Sequence, residues 1–222
     1  MKKIIFLTRD TWYSKIMIDY LSANFENVDV YNTKVSKLNK NYDYLLSIGY
    51  QYIIPKKVIH KIKNKSINIH PGSTSNPGAG CYSYPIYLKQ KYSGVTCHEI
   101  SAIPDTGKVI IEKKFRIYEN DNFESVKNRT IINLLQIFYE IIDLIVSGKA
   151  LPVSKNQWKR KPRLQSEYIK DLLTIYPDTD TKNTIDLKIK SSNPAYPGPY
   201  IKVNGKKYTL RDKFNTQFNF GK

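Results

Sequence analysis

Strand-like and helix-like segments alternate from the start of the chain, between Lys3 and His70, and few folds accept that order. Lys3–Thr8 is a short apolar run suited to a buried strand. Residues 12–22 place Ile16, Met17, Tyr20 and Leu21 at helical spacing, and residues 28–31 form a second short strand. Residues 43–49 are again apolar enough for a strand buried on both faces, and Pro55 suits the first turn of a helix ending near Lys61. Ser66 to His70 is the next strand. Such alternation predicts an α/β fold, with a parallel-rich sheet and helices on both faces. Ligands of such sheets bind beyond the carboxyl ends of the strands, where residues 49–54 and 70–80 fall.

The pattern then changes. Residues 82–90 read as a helix, 94–101 and 108–118 as strands joined by residues 102–107, and 122–147 as one long helix stopped by Gly148. Residues 149–161 are polar and irregular, as a linker would be. From about Thr184 the tail takes on β character, and Asn204-Gly205 between 200–203 and 206–210 is a strong hairpin signal. The expected organisation is a catalytic domain over residues 1–150, followed over 151–222 by the linker and a small β-rich unit. The hairpin edge suggests a homodimer.

The formal charge is +17. A charge of that size suits nucleic acid, an anionic substrate or a generally cationic surface. Arginine supplies six of the 36 basic residues, and the lysines are scattered along the whole chain, which favours a cationic surface that attracts a phosphorylated substrate. Cys81 and Cys97 have no CxxC spacing and no ligand cluster around them, so a metal site is not expected and both are read as reduced. The start is too short in apolar residues for a signal peptide, and no run is long enough to span a membrane. A cytoplasmic protein with no membrane partner is expected.

Chemistry concentrates at Ser66-Ile67-Asn68-Ile69-His70-Pro71-Gly72. A strand sends alternate side chains to opposite faces, so Ile67 and Ile69 are buried on one side while Asn68 and His70 stand together on the other. An amide that donates to an oxyanion beside an imidazole that accepts a proton suits acyl transfer. Asp105, in the turn before Gly107, is the third member, able to orient an imidazolium. His98 is read as a structural neighbour on its strand, and His60 as incidental on a short helix.

Asn68-x-His70, the loop Pro77-Gly78-Ala79-Gly80-Cys81-Tyr82, the strand Gly94-Val95-Thr96-Cys97-His98 and Asp105-x-Gly107 together resemble the folate-dependent formyltransferases, over roughly residues 3–165. Within that family the detail resembles the nucleotide-sugar N-formyltransferases, since the Leu-Pro-x-Tyr-Arg-Gly type of loop of the tRNA enzymes is absent. Asn193-Pro194-Ala195-Tyr196-Pro197-Gly198-Pro199-Tyr200 is similar to a segment of their small C-terminal unit, although Pro199 stands where alanine is usual and no arginine precedes it.

The resemblance implies a Rossmann-like fold. It also implies transfer of a formyl group from N10-formyltetrahydrofolate to the amine of a nucleotide-linked amino sugar, of which dTDP-4-amino-4,6-dideoxyglucose, for surface polysaccharide such as O-antigen, is the expected example. Asn68, His70 and Asp105 are then catalytic, and Tyr50, Ile53 and Ile54 join Asp105 around the folate. Arg9, Trp12, Ser73, Gly78, Gly80, Tyr82, Lys155 and Arg160 are the candidates for the sugar nucleotide. The alternatives are a methionyl-tRNA formyltransferase and a non-enzymatic basic protein that binds nucleic acid. The first expectation includes no nucleic-acid partner.

Overall fold

The alternation in the first half of the chain folds into six strands in the order β2-β1-β3-β4-β5-β6. This computed structural model describes residues 2–193 and 198–210. The strands are β1 (Lys3–Thr8), β2 (Asn27–Tyr31), β3 (Tyr42–Ile48), β4 (Ile62–His70), β5 (Tyr92–Glu99) and β6 (Val109–Arg116). Between them run α1 (Trp12–Asn24), α2 (Lys56–Ile59) and α3 (Tyr84–Tyr87), and α4 (Phe123–Val146) follows the sheet. β1 pairs in parallel with β2 and β3, and β3 in parallel with β4. β4 meets β5 antiparallel, with Asn68 opposite His98 and His70 opposite Thr96.

Period-two alternation decides which side chain goes to which layer. Ile4, Phe6, Leu46, Ile48, Ile67, Ile69, Val95 and Cys97 face α1 and α4, whose Met17, Leu21, Ile131, Leu134, Ile137, Phe138, Ile141, Ile142 and Ile145 complete that layer. Ile5, Leu7 and Leu45 point the other way, onto Val35, Leu38 and Val58. The α1 start is set locally: Thr11 Oγ1 accepts from the Ser14 N–H at 3.1 Å while Ser14 Oγ accepts from the Thr11 N–H at 2.9 Å. That reciprocal cap satisfies two end groups of the helix. Burial in the apolar layer also pushes the Cys97 thiol far up, with Glu140 adding to the shift, so this sulfur is held as an inert thiol.

The chain forms two compact units. One holds the segment up to Pro77 with Gly94–Lys114 and Thr130–Pro162; the other holds Gly78–Ser93, Phe115–Arg129 and the chain from Arg163 on. In the second unit, Tyr84, Tyr168, Leu172, Leu173 and Tyr200 form a small apolar cluster. Here α5 (Gln165–Tyr168) runs into a single π-helical turn, Ile169–Leu173, and α6 (Lys182–Ser191) precedes the hairpin β7 (Tyr200–Val203) and β8 (Lys206–Thr209).

The hairpin stands where Asn204-Gly205 put it, with both residues at positive φ. Among the described residues, the β character expected from Thr184 begins at Tyr200. Residues 182–191 are helical because Thr181 caps them, its hydroxyl accepting from the Thr184 N–H at 3.2 Å. The helix expected over 82–90 is a single turn, Tyr84–Tyr87. Residues 194–197 of the proline-rich segment lie outside the described residues. Among those described, no helix is long and apolar enough to cross a membrane.

Candidate functional site

β4 ends at His70, on the sheet's carboxyl side, and the antiparallel partner β5 brings His98 directly opposite Asn68. Ile67 and Ile69 are buried toward α1 and α4, which leaves Asn68 and His70 together on the other face, as strand geometry requires. The loop after β5 returns Asp105 to the same place. His70 Nδ1 lies 3.2 Å from Asp105 Oδ2, and His98 Nε2 lies 3.3 Å from Asp105 Oδ1. Asn68 Nδ2 stands 3.0 Å from His98 Nε2. One carboxylate thus bridges two imidazoles, and the second imidazole meets the amide. His70 is 5% exposed, His98 2% and Asp105 8%, so the cluster sits in a poorly hydrated environment where its electrostatic interactions are strong.

The hydrogen-bond partners assign the protons. His98 Nδ1 lies 2.8 Å from the Glu99 carbonyl, which only accepts, so this nitrogen carries the hydrogen, while Nε2 faces both the Asn68 amide and Asp105 Oδ1. His70 Nε2 lies 3.0 Å from the Asn76 carbonyl. Both nitrogens of His70 therefore face acceptors, an arrangement in which each hydrogen of an imidazolium has a partner.

Backbone geometry holds the Asp105 loop in place. Asp105 has φ +51°, a left-handed conformation that a short polar residue tolerates better than most. At Gly107 a Cβ would fall 1.7 Å from the Glu99 carbonyl oxygen, so only glycine lets the loop close on β5. After His70, Thr96 Oγ1 donates to the Gly72 carbonyl at 2.8 Å, and Asn76 N donates to the Ser73 carbonyl at 2.8 Å. Thr74 gives its N–H and its hydroxyl to Glu112 Oε1, at 2.8 and 2.9 Å.

The other expected residues are distributed as follows. Tyr50 is partly buried, and its hydroxyl joins the Val35 N–H to the Thr33 carbonyl, both at 2.8 Å, so it pins the segment between β2 and β3. Burial raises the pKa of its phenol, with Tyr52 adding to the effect. Ile54 packs against the Ile5–Leu45 layer, while Ile53 is exposed. Trp12 is exposed at the start of α1, its ring edge-on to Tyr13. Arg9, Lys155 and Arg160 are exposed, and Ser73 is buried with its hydroxyl 3.3 Å from Asn76 Nδ2. Gly78, Gly80 and Tyr82 belong to the second unit. There the backbone approached by Gly78, at φ +81°, is that of Arg163: a Cβ would meet its carbonyl oxygen at 2.3 Å. Tyr82 stands edge-on to Phe123.

Two residues at the cluster escaped the sequence reading of function. His98 was legible as a strand residue, but its place opposite Asn68 follows from an antiparallel register that the sequence does not state. Trp158 lies in the stretch read as a linker. Its ring is edge-on to both imidazoles, at centroid distances of 5.9 Å from His70 and 5.0 Å from His98.

Residues 13–142 match the profile of a family described as formyl transferase. Methionyl-tRNA formyltransferase of Ehrlichia ruminantium is 27% identical over 178 residues, covering 80% of this chain and 55% of that protein. The chain thus spans about half the length of the curated relatives it matches first. Among solved structures, a sugar N-formyltransferase from a Shewanella species superposes with a TM-score of 0.75 at 18% identity, over 94% of this chain and 96% of that one. The formyltransferase PseJ of Anoxybacillus kamchatkensis, solved with UDP-4,6-dideoxy-4-formamido-L-AltNAc and tetrahydrofolate, gives 0.63 at 27% identity, over 86% and 100%.

Proposed function

The chain belongs to the formyl transferase family, and from that premise we propose that it transfers a formyl group from N10-formyltetrahydrofolate to the amine of a nucleotide-linked amino sugar. The observation that carries the chemistry is the meeting of Asn68, His70 and Asp105 through His98 within one compact unit. The acceptor class is supported by the likeness to sugar N-formyltransferases over 94% of the chain.

The amine nitrogen attacks the formyl carbon, and the carbonyl electrons move onto oxygen. Asn68 donates a hydrogen bond to that oxygen, an effect worth roughly 3 kcal/mol in comparable sites. His70, neutral with its own hydrogen on Nδ1 toward Asp105, takes the proton released by the amine at Nε2, which turns from the Asn76 carbonyl to do so, and Asp105 holds the resulting imidazolium at Nδ1. The oxyanion then collapses, the bond from carbon to N10 breaks, and N10 takes the proton that His70 removed from the amine. The products are a formamide and tetrahydrofolate. Tyr50, Ile53 and Ile54 are the proposed folate contacts, and Arg9, Trp12, Lys155 and Arg160 the proposed contacts of the nucleotide. A dTDP-linked 4-amino-4,6-dideoxyglucose on its way to surface polysaccharide is the first acceptor to test.

A second reading, transfer to methionyl-tRNA, is favoured by the sequence relatives and by the charge of +17. Incubating the purified protein with N10-formyltetrahydrofolate and a panel of 3- and 4-amino sugar nucleotides, beside charged initiator tRNA, separates the two. A mass gain of one formyl group on a sugar, lost in His70→Ala, supports the first reading. The same gain on the tRNA alone overturns it in favour of the second.

A further inference from the structure

The segment read as a linker is tied down in four places within the sheet unit. Ser154 N donates to the Val109 carbonyl at 3.3 Å, and Lys159 N to the Thr74 carbonyl at 3.0 Å. Asn156 Nδ2 donates to Glu112 Oε2 at 2.7 Å, and Trp158 Nε1 to the Gly107 carbonyl at 2.8 Å. Glu112 is the same carboxylate that holds Thr74. These attachments reach both loops that carry the acid–base pair: Thr74 is on the loop that follows His70, and Gly107 closes the loop that carries Asp105.

From this we propose that Trp158 is a positioning residue for the His70–Asp105 pair, so that residues 154–159 form a strap over the cluster rather than a spacer. Its indole N–H fixes the carbonyl two residues beyond Asp105, whose φ of +51° needs support from its surroundings. Its ring stands edge-on to His70, with an interplanar angle of 68°, and to His98, at 84°. In that position it limits the rotation of both imidazoles and keeps water from their exposed edges. Neighbouring Lys155, Asn156, Gln157 and Lys159 are exposed, and only the tryptophan turns inward, partly buried. A hydrophobic side chain with no other task would fill the same space without donating to Gly107.

The kinetic arm of the test rests on the formyl-transfer reading, and the spectroscopic arm does not. The chain has three histidines, and His60 is exposed just past the end of α2, outside the cluster, which makes it an internal control. In the ligand-free protein, Trp158→Leu should move the ring-proton NMR signals of His70 and His98 and leave those of His60 in place, because the indole ring current is lost. With formyl donor and acceptor, Trp158→Leu should lower kcat by about tenfold while KM changes less than about threefold, since misplaced catalytic groups cost rate more than binding. Trp158→Phe keeps a ring against the imidazoles, so it should lose less. Unmoved His70 and His98 signals, or a loss confined to KM or to thermal stability, would overturn the proposal. If the Trp158→Leu protein does not fold, Trp158→Phe decides: it loses the hydrogen bond to the Gly107 carbonyl and has a weaker ring current, so His70 and His98 signals left in place together with a wild-type kcat would overturn the proposal. Wild-type protein that formylates no amine would sink the functional reading instead, and the histidine signals would still decide the role of Trp158.

Discussion

Asn68 and His98 stand directly opposite each other on β4 and β5, the amide nitrogen 3.0 Å from His98 Nε2. Because His98 Nδ1 gives its hydrogen to the Glu99 carbonyl, Nε2 is the nitrogen turned toward both the Asn68 amide and Asp105 Oδ1, 3.3 Å away. His98 thus stands between the amide and the carboxylate, where it can hold Asn68 in place without touching a substrate.

A double-mutant cycle tests that coupling. Asn68→Ala should lower kcat by about 10²-fold or more, as loss of an oxyanion donor does elsewhere. His98→Ala should lower it by about tenfold. If His98 acts through Asn68, the double variant is no slower than Asn68→Ala alone. Losses that multiply would show that His98 works independently of the amide.

For the His70–Asp105 pair, the informative change is Asp105→Asn. Asparagine tolerates the positive φ of this position, so the loop keeps its course, but the negative charge facing His70 Nδ1 is gone. The expected loss in kcat is about 10³-fold near neutral pH, close to what loss of the orienting carboxylate costs in other histidine-dependent enzymes. The thermal midpoint should move little. His70→Ala should reduce transfer to the background of the remaining groups, and a variant retaining more than about a tenth of the rate would remove His70 from the base role.

Much of the sheet was legible because it depends on short-range rules. Period-two alternation sorted Ile67 and Ile69 from Asn68 and His70, and the Asn204-Gly205 turn placed the last hairpin. The features that escaped depend on distant contacts. Trp158 was hidden in a polar stretch whose course is set by Glu112, Thr74 and Gly107, residues 46, 84 and 51 positions away in sequence by subtraction from 158. α6 falls in the stretch read as β in character, and its start is marked only by the capping Thr181. α5 and the π-turn after it gave no periodic signal, since each is shorter than two helical turns.

Gly107 gives a stability test that bears on the site. A methyl group there would fall 1.7 Å from the Glu99 carbonyl oxygen, and main-chain atoms of a β-strand cannot step aside cheaply. Gly107→Ala should lower unfolding free energy by about 3 kcal/mol, at the upper end of ordinary overpacking. Because the same loop carries Asp105, kcat should fall as well. A denaturant midpoint within experimental error of wild type would mean that the loop has room the structure does not show.

The pH dependence of the second unit follows from Asp180. Burial favours the neutral acid, but hydrogen bonds from Lys188 Nζ at 2.7 Å and from the Tyr176 N–H at 2.9 Å outweigh it, and the carboxyl is held below its ordinary value. Lys188 is 3% exposed and also donates to the Thr174 carbonyl at 2.8 Å, so removing the carboxylate strands a buried ammonium. Asp180→Asn should cost about 3 kcal/mol near neutral pH, the usual result of breaking such a pair. A carboxyl whose folded pKa is depressed contributes stability that is complete above its unfolded pKa, about 4, and that fades as pH falls through the folded value. The gap in urea midpoint between wild type and Asp180→Asn should therefore be constant from about pH 7 to pH 5 and narrow below about pH 4. A gap that stayed constant down to about pH 2, or widened on acidification, would show that Asp180 carries no such charge in the folded chain.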